Sequence, residues 1–490
     1  MATERRSQRQ VLVAFSAIML ATLLAAMDQT IVATALPRIA ADLQGFKSLS
    51  WVVTAYLLST TVTVPLYGKL SDLYGRRRLF VVSISIFLVG SALCGTAQSM
   101  GELIAFRALQ GVGAGGLIPL AQAAIADLFS PRERGRYQGY VGSMWATAAV
   151  AGPLLGGTLT DAASWRWIFY INLPLGVLAL VAVVKTMKIA HTKREHTIDY
   201  AGALALSLGV TGVLLACAWG GTTYSWGSVE VLVAAVVGVL GVAAFGRIER
   251  RAPEPLLPLG LFRNRVFAVS SLAGLGVGAV LFGITIYVPV YMQGVLRVSA
   301  TSSGVVLIPL TLGWTLASFV SGQLITHTGR YRIYPLLGST LVLIGCLLLT
   351  TLGVDSSSVV ASLFLVVIGV GMGTMFQTYV IATQNRVSMS ELGVATAAIQ
   401  FFRSMGGSLA VAGLGALLTA QIGSGIDVNA LTSGSAHVGE AARAALAGAT
   451  HAVFWAIVPL AAVVLVLAIL LPEYPLRTHA PADAAPASAE

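Results

Sequence analysis

Gly68-Lys69-Leu70-Ser71-Asp72-Leu73-Tyr74-Gly75-Arg76-Arg77-Arg78 is answered 254 residues later by Gly322-Gln323-Leu324-Ile325-Thr326-His327-Thr328-Gly329-Arg330-Tyr331-Arg332. Gly, Leu, Gly, Arg and Arg coincide at that constant offset, and each copy follows an apolar run of helical length. A basic loop repeated behind two apolar runs points to duplicated halves of six helices, with two extra helices between them. Internal repeats of this kind underlie alternating-access transport.

Composition places those helices in lipid. Of 490 residues, 56% are hydrophobic and 10% charged, and the mean hydropathy is +0.83. A soluble chain carries roughly 25% charged residues, so water is not the main solvent here. At about 20 apolar residues per crossing helix, the composition fits a many-helix membrane protein. A β-barrel would show short alternating segments instead of long apolar runs. Cys94, Cys217 and Cys346 lie inside apolar runs without metal spacing, which indicates neither a disulfide framework nor a zinc site.

Nearly uncharged runs fall at about 11–33, 50–70, 80–99, 103–126, 137–160, 166–187, 200–219, 227–246, 266–291, 302–325, 333–353, 358–384, 393–420 and 450–471. Fourteen runs put both ends of the chain on one side. With the N-terminus cytoplasmic, 23 of the 30 basic residues fall on inside segments and five outside, namely Arg38, Lys47, Arg166, Arg297 and Arg443. Arg107 and Arg403 lie within runs. Such an excess marks cytoplasmic loops, so the net charge of +10 reads as a topology bias and not as a nucleic-acid surface. The first run follows Arg5, Arg6 and Arg9 like a signal peptide, but it is too long for one and contains Asp28, so a retained helix is expected. The expected organisation is an N-terminal six-helix half over 1–190, two additional helices over 191–250 and a C-terminal half over 251–471. A disordered cytoplasmic tail is expected over 472–490. The Gly/Ser/Ala-rich stretch at about 421–449 reads as a flexible outside loop.

Five segments carry chemistry. Gly75 lets the backbone turn sharply between two packed helices, and Asp72 with the arginines beyond it can form a charge network. Asp28, in Leu24-Ala25-Ala26-Met27-Asp28-Gln29-Thr30-Ile31-Val32, and Arg107, in Arg107-Ala108-Leu109-Gln110-Gly111, are ionisable groups within apolar runs, a costly placement unless they are paired or wetted. Asp28 lies about 17 residues into an outward-running helix, roughly 25 Å at 1.5 Å per residue. Arg107 lies about one turn below the outer end of an inward-running one, so depth allows the two to pair. Gly152-Pro153-Leu154-Leu155-Gly156-Gly157 combines small residues for close packing with a helix bend. Trp165-Arg166-Trp167-Ile168-Phe169-Tyr170-Ile171-Asn172-Leu173-Pro174 reads as an interfacial aromatic anchor.

In this order the segments resemble the motifs of the major facilitator superfamily, specifically its fourteen-span drug:proton antiporter family, over nearly the whole chain apart from the tail. The resemblance implies an all-α integral membrane protein of the major facilitator fold. It implies a conformational latch at Gly68, Asp72, Gly75, Arg76 and Arg77, and an antiporter motif at Gly152, Pro153, Gly156 and Gly157. Ala148 stands where the family usually has Gly. Asp28 and Arg107 match its intramembrane charged motifs. Asp28 is the candidate proton-coupling residue, since desolvation and a nearby Arg⁺ pull its proton affinity in opposite directions; a permanently ionised partner of Arg107 is the alternative reading. Arg107 is divided between proton relay and structural pairing. Arg403 has no acidic partner in sight and reads as a structural buried charge held by carbonyls or water. Tyr56, Trp145, Tyr287, Gln293, Phe376, Gln377 and Phe401 are candidates to line a central cavity.

Other chemistries find little support. Gly111-Val112-Gly113-Ala114-Gly115-Gly116 fits a dinucleotide fingerprint, but it lies in an apolar helix with no preceding strand and reads as a packing face. No P-loop, metal cluster or nucleophile constellation is present, and six scattered histidines argue against an enzyme. No filter-like loop suggests a channel. The expected activity is proton-driven export of small hydrophobic or cationic compounds by alternating access, monovalent cations or neutral lipophiles before dications. A dedicated exporter of one metabolite or lipid and a proton symporter for uptake are the rivals. Expected partners are the substrate, protons and the bilayer of the cell membrane, with no cofactor, no nucleic acid and a monomeric state.

Overall fold

The computed structural model describes residues 8–43, 49–187, 199–221, 224–298, 300–388, 391–422 and 440–476. Its helices are α1 (Gln8–Asp42), α2 (Leu49–Tyr74), α3 (Arg76–Thr96), α4 (Met100–Leu128), α5 (Pro131–Ala162), α6 (Trp167–Tyr170), α7 (Asn172–Thr186), α8 (Tyr200–Trp219), α9 (Val229–Glu249), α10 (Arg265–Gly294), α11 (Ala300–Thr328), α12 (Ile333–Leu349), α13 (Ser358–Arg386), α14 (Leu392–Ile422) and α15 (Glu440–Leu470). Short polar residues set where they begin. The Ser99 hydroxyl accepts from the Glu102 amide, Asp199 from Gly202, Ser228 from Val231, Asn264 from Val266 and Ser357 from Val359. Each satisfies an N–H that the first turn leaves without an intrahelical partner.

Each of the fourteen apolar runs lies on a helix, with α6 and α7 together forming the sixth. Eleven of the described helical segments are long and apolar enough to cross a membrane. The 17-residue α12 is shorter, while α2 and α5, rich in Ser, Thr, Gly and charge, fall outside that group.

The repeated sequence is a repeated packing scheme. In the first half α1 packs on α4, α5 and α7, α4 on α2 and α3, and α3 on α7. In the second half α10 packs on α13, α14 and α15, α13 on α11 and α12, and α12 on α15. The halves meet through α5 against α11 and α2 against α14, with α4 touching α14 and α13 touching α5, so the seam carries the same two-fold relation. The pair α8–α9 lies between the halves in sequence, and α8 leans on α2 and α14. Gly75 and Gly329, equivalent in the repeat, both hold left-handed φ values, 91° and 68°, which a side chain would disfavour.

Two expectations need correction. The stretch 421–449 is not loop throughout, because α15 starts at Glu440. Its first turns are alanine-rich, a strong helix-forming composition, and Leu446 and Ala449 are buried in the core of the second half. Residues 423–439 lie outside the described residues. The tail is ordered through its first five residues: Tyr331 donates its hydroxyl to the Pro472 carbonyl, Asn385 donates to that of Pro475, and Leu476 is buried. Residues 477–490 lie outside the described ones.

Where α10 crosses α14, a Cβ on Gly406 would collide with the backbone of Leu275, and one on Gly278 with that of Arg403. Overpacking of such a contact costs about 1–3 kcal/mol. Gly406→Ala is therefore expected to lower the thermal midpoint of the purified protein. Gly413→Ala, on the same helix with nothing within 4 Å, should leave it unchanged or raise it slightly.

Candidate functional site

Asp28 sits in the body of α1, and no part of it reaches solvent. One carboxylate oxygen accepts from Gln110 Nε2 at 2.8 Å and from Asn172 Nδ2 at 2.8 Å; the other accepts from an Arg107 terminal nitrogen at 2.9 Å. Arg107 is buried as well. It donates to Gln110 Oε1 at 2.7 Å and through Nε to the Val52 carbonyl at 3.3 Å, and its guanidinium lies 4.0 Å from the centre of the Tyr56 ring. Ser91 Oγ accepts from both Gln110 and Asn172 and donates to the Phe169 carbonyl. The cluster ties together α1, α2, α3, α4, α6 and α7. Two opposite charges within lipid are tolerable only when paired and hydrogen-bonded, and this arrangement supplies both conditions. With N–H donors on both oxygens, it suits the ionised carboxylate.

Depth had suggested the Asp28–Arg107 pairing; the neutral members escaped the sequence reading. Gln110 is three residues after Arg107, hence on the same helical face, and Asn172 falls within the quoted aromatic segment. At the start of that segment, Asp42 accepts from the Trp165 indole at 2.8 Å and from Arg166 at 3.2 Å. These hydrogen bonds, the indole's first, hold its carboxyl below the usual range.

The Gly152–Gly157 segment adjoins the cluster. Thr30, two residues beyond Asp28, donates to the Ala148 carbonyl on α5 at 2.9 Å, and a Cβ on Gly152 would collide with Thr30. Gly156 is buried and Gly157 partly so; the side chain of Pro153 lies outside the described ones. The glycines that mimic a dinucleotide fingerprint are helix contacts, Gly111 and Gly115 against α2 and Gly113 against α3.

At the repeat loops the halves touch. Asp72 is paired with Arg76, which also reaches Asp127 at 3.1 Å. The second Asp72 oxygen crosses the seam to accept from the Val394 amide at 2.9 Å, in the first turn of α14. A carboxylate is well placed at a helix N-terminus, where amides lack partners and the dipole is positive. Gly68 lies against Ala397 and Gly393, on the same seam. The equivalent of Asp72 in the second copy is Thr326, whose hydroxyl accepts from the Arg136 amide, in the first turns of α5, at 3.2 Å. The seam thus carries two symmetry-related contacts, one ionic and one neutral. Arg77 takes no part in them. It donates to the Val184 carbonyl at 2.6 Å near the end of α7, as Arg332 donates to that of Ile469 near the end of α15, each satisfying a terminal carbonyl.

Arg134, read from sequence only as a topology charge, is buried at the same seam. It donates to the carbonyls of Ala126, Phe129 and, across the halves, Gln384.

The cavity candidates do not gather in one place. Tyr56 belongs to the Asp28 cluster, and Trp145 packs beside Ala26, Met27 and Ala148. Tyr287 donates to the Val411 carbonyl at 2.7 Å, and Phe401 is buried in the seam with Val64 and Ala123. Phe376 and Gln377 are buried on α13; the side chain of Gln293 lies outside the described ones. Arg403 stacks on Phe376, 3.9 Å from the ring centre, and donates to the Gln400 side-chain oxygen. Two surface clefts, of about 630 Å³ at the end of α9 and about 460 Å³ beside the tail, are lined by none of these residues.

Known proteins share this architecture. The Major Facilitator Superfamily profile matches residues 18–411. The chain is 40% identical over 419 residues to the multidrug transporter protein MdtP of Bacillus subtilis (strain 168), covering 86% of this chain and 77% of that one. It is 37% identical over 402 residues to multidrug resistance protein 3 of the same organism, covering 82% and 78%. The crystal structure of the human organic anion transporter MFSD10 (TETRAN) superposes with a TM-score of 0.65 at 14% identity, over 96% of this chain and all of that one, a likeness of fold.

A charge-assisted hydrogen bond such as that of Asp72 contributes about 1.5–3 kcal/mol. Asp72→Asn is expected to shift the population away from the closed seam by about tenfold or more, seen as a longer distance between spin labels at Tyr74 and Glu391. Thr326→Asp should recover part of that shift, because a carboxylate at the start of α5 contributes about 0.3–1 kcal/mol.

Proposed function

The chain belongs to the Major Facilitator Superfamily and is a membrane transporter, not an enzyme, and from that premise we propose a fourteen-span, proton-coupled exporter of small hydrophobic compounds, cations among them. The relatives named as multidrug transporters support the export reading. Both termini are cytoplasmic in this topology, and α2, α5 and α12 complete the fourteen crossings. The repeat loops then mark the cytoplasmic end, and the seam between the halves is closed there.

The observation that carries the coupling is the donor set on Asp28. Two N–H donors fill one oxygen and Arg107 takes one position on the other, so a proton enters only beside Arg107, and the neutral acid no longer balances that guanidinium. Protonation therefore weakens the ion pair that holds α1 to α4. Because α1 also holds α5 through Thr30 and Ala148, and α5 packs on α11 across the seam, a change at Asp28 reaches the contact between the halves. Asp28 is buried in the state described here, so it exchanges its proton only when the cluster opens to water. A cationic substrate meets the carboxylate only when these partners are withdrawn.

Asp28→Asn is expected to insert and fold, yet to reduce export under an imposed pH gradient to the rate found without one. Export at the wild-type rate in that variant, measured in inverted vesicles, would reject the role. In the wild type, addition of substrate should release protons from the acidified vesicle lumen; the opposite sign would indicate symport.

A further inference from the structure

Asp28 and Arg107 balance one another, whereas Arg403 faces no carboxylate within 4 Å among the described residues. Its residue is 9% exposed, about 11 residues or roughly 16 Å into α14. Its partners are the Gln400 side-chain oxygen and one face of the Phe376 ring. A π-face contributes about 0.5–2 kcal/mol toward a cation, well short of the cost of an unbalanced buried charge. Guanidinium carries five N–H donors, and among the described residues only the Nη2 group has a hydrogen-bond acceptor.

The surroundings extend the deficit of acceptors. Trp314 on α11 packs against the same Phe376 ring, centroids 4.8 Å apart, and its buried indole N–H has no partner among the described residues. The helices concerned, α11, α13 and α14, are the ones through which the second half meets the first. Unused guanidinium donors and an unused indole donor thus flank one aromatic ring beside the seam, with an excess positive charge. A hydrocarbon would leave every one of these groups unsatisfied, and a neutral acceptor would leave the charge unbalanced. A carboxylate, sulfonate or phosphate on an aromatic or aliphatic body would satisfy them and stack on Phe376.

We infer that Arg403, Phe376 and Trp314 form a substrate subsite for the acidic group of a lipophilic anion or zwitterion, extending the cargo beyond neutral and cationic compounds. This rests on the transport reading above but not on Asp28 as the proton site. Arg403 binds the charge, Trp314 adds a second donor and Phe376 supplies the stacking surface.

The test uses the full-length protein in lipid nanodiscs and equilibrium binding of a matched pair, 1-naphthylacetate and its neutral amide. The wild type should bind the acid about tenfold more tightly than the amide, the worth of one charge-assisted hydrogen bond. Arg403→Gln should lose that preference while still binding the amide, which shows that it folds, and Arg403→Lys should keep part of it. If Arg403→Gln does not fold, Trp314→Phe, a milder change, should narrow the preference by about threefold. Equal binding of acid and amide by the wild type, or an unchanged preference in the folded variants, overturns the subsite. Arg403-dependent binding of chloride without preference for the acid assigns it to an inorganic anion and overturns the substrate class. No preference in the wild type, with proton-linked export intact, sinks this inference alone. A preserved preference without proton-linked flux sinks the export reading alone.

Discussion

The ion pair between Asp28 and Arg107 constrains the first half more than any other contact. A carboxylate and a guanidinium within hydrocarbon need each other, and they need enough hydrogen bonds that neither is left short of partners. Meeting that need fixes the rotation of α1 and α4 so that the charges face, brings α7 close enough for Asn172 to reach the same oxygen as Gln110, and lays α2 across the guanidinium through Val52 and Tyr56. The small residues of α4 then let α2 and α3 approach to backbone contact. An arrangement with such exact electrostatic demands does not deform by degrees; it is either formed or replaced by another, the behaviour that alternating access requires.

The duplicated fold carries unequal charges, and that inequality gives it direction. Its helix pairings repeat, as do the left-handed glycines at 75 and 329 and the arginines that close the ends of α7 and α15. What differs is the placement of carboxylates. Asp72 binds the start of α14 where Thr326 offers only a hydroxyl to α5. Asp28 balances Arg107 where Arg403 has a ring face and an amide. One half holds a buried cluster whose charges balance, and the other a buried arginine with no carboxylate within 4 Å among the described residues.

Much of this could be read from residue order alone. Helices appeared as apolar runs because the residues at their starts, such as Ser99 and Asn264, are the short polar ones that cap first turns. Asp28 and Arg107 were legible because a charge in an apolar run is conspicuous and rise per residue gives its depth. Gln110, Ser91 and Asn172 were not: neutral polar residues are common in such helices, and whether they converge depends on helix rotation, which no spacing encodes. Arg134 looked no different from Arg132 and Arg136 until folding showed it buried among the carbonyls at the end of α4. The start of α15 was hidden because Ala-Gly composition serves a loop and a helix equally well, and burial of Leu446 decides between them. Composition also said nothing of the first residues of the tail, which the Tyr331 hydroxyl holds in place.

The central claim is that Asp28 changes protonation as the transporter changes state. Infrared difference spectroscopy of the reconstituted protein reads this directly, as the carboxylic acid C=O stretch present in the wild type and missing in Asp28→Asn. The account predicts that this band is weak when the cytoplasmic seam is closed as described here, and that it grows when conditions favour the opposite state. A folded, transporting protein in which the band never appears at any pH would show that the carboxylate is permanently ionised, and the coupling would have to lie elsewhere.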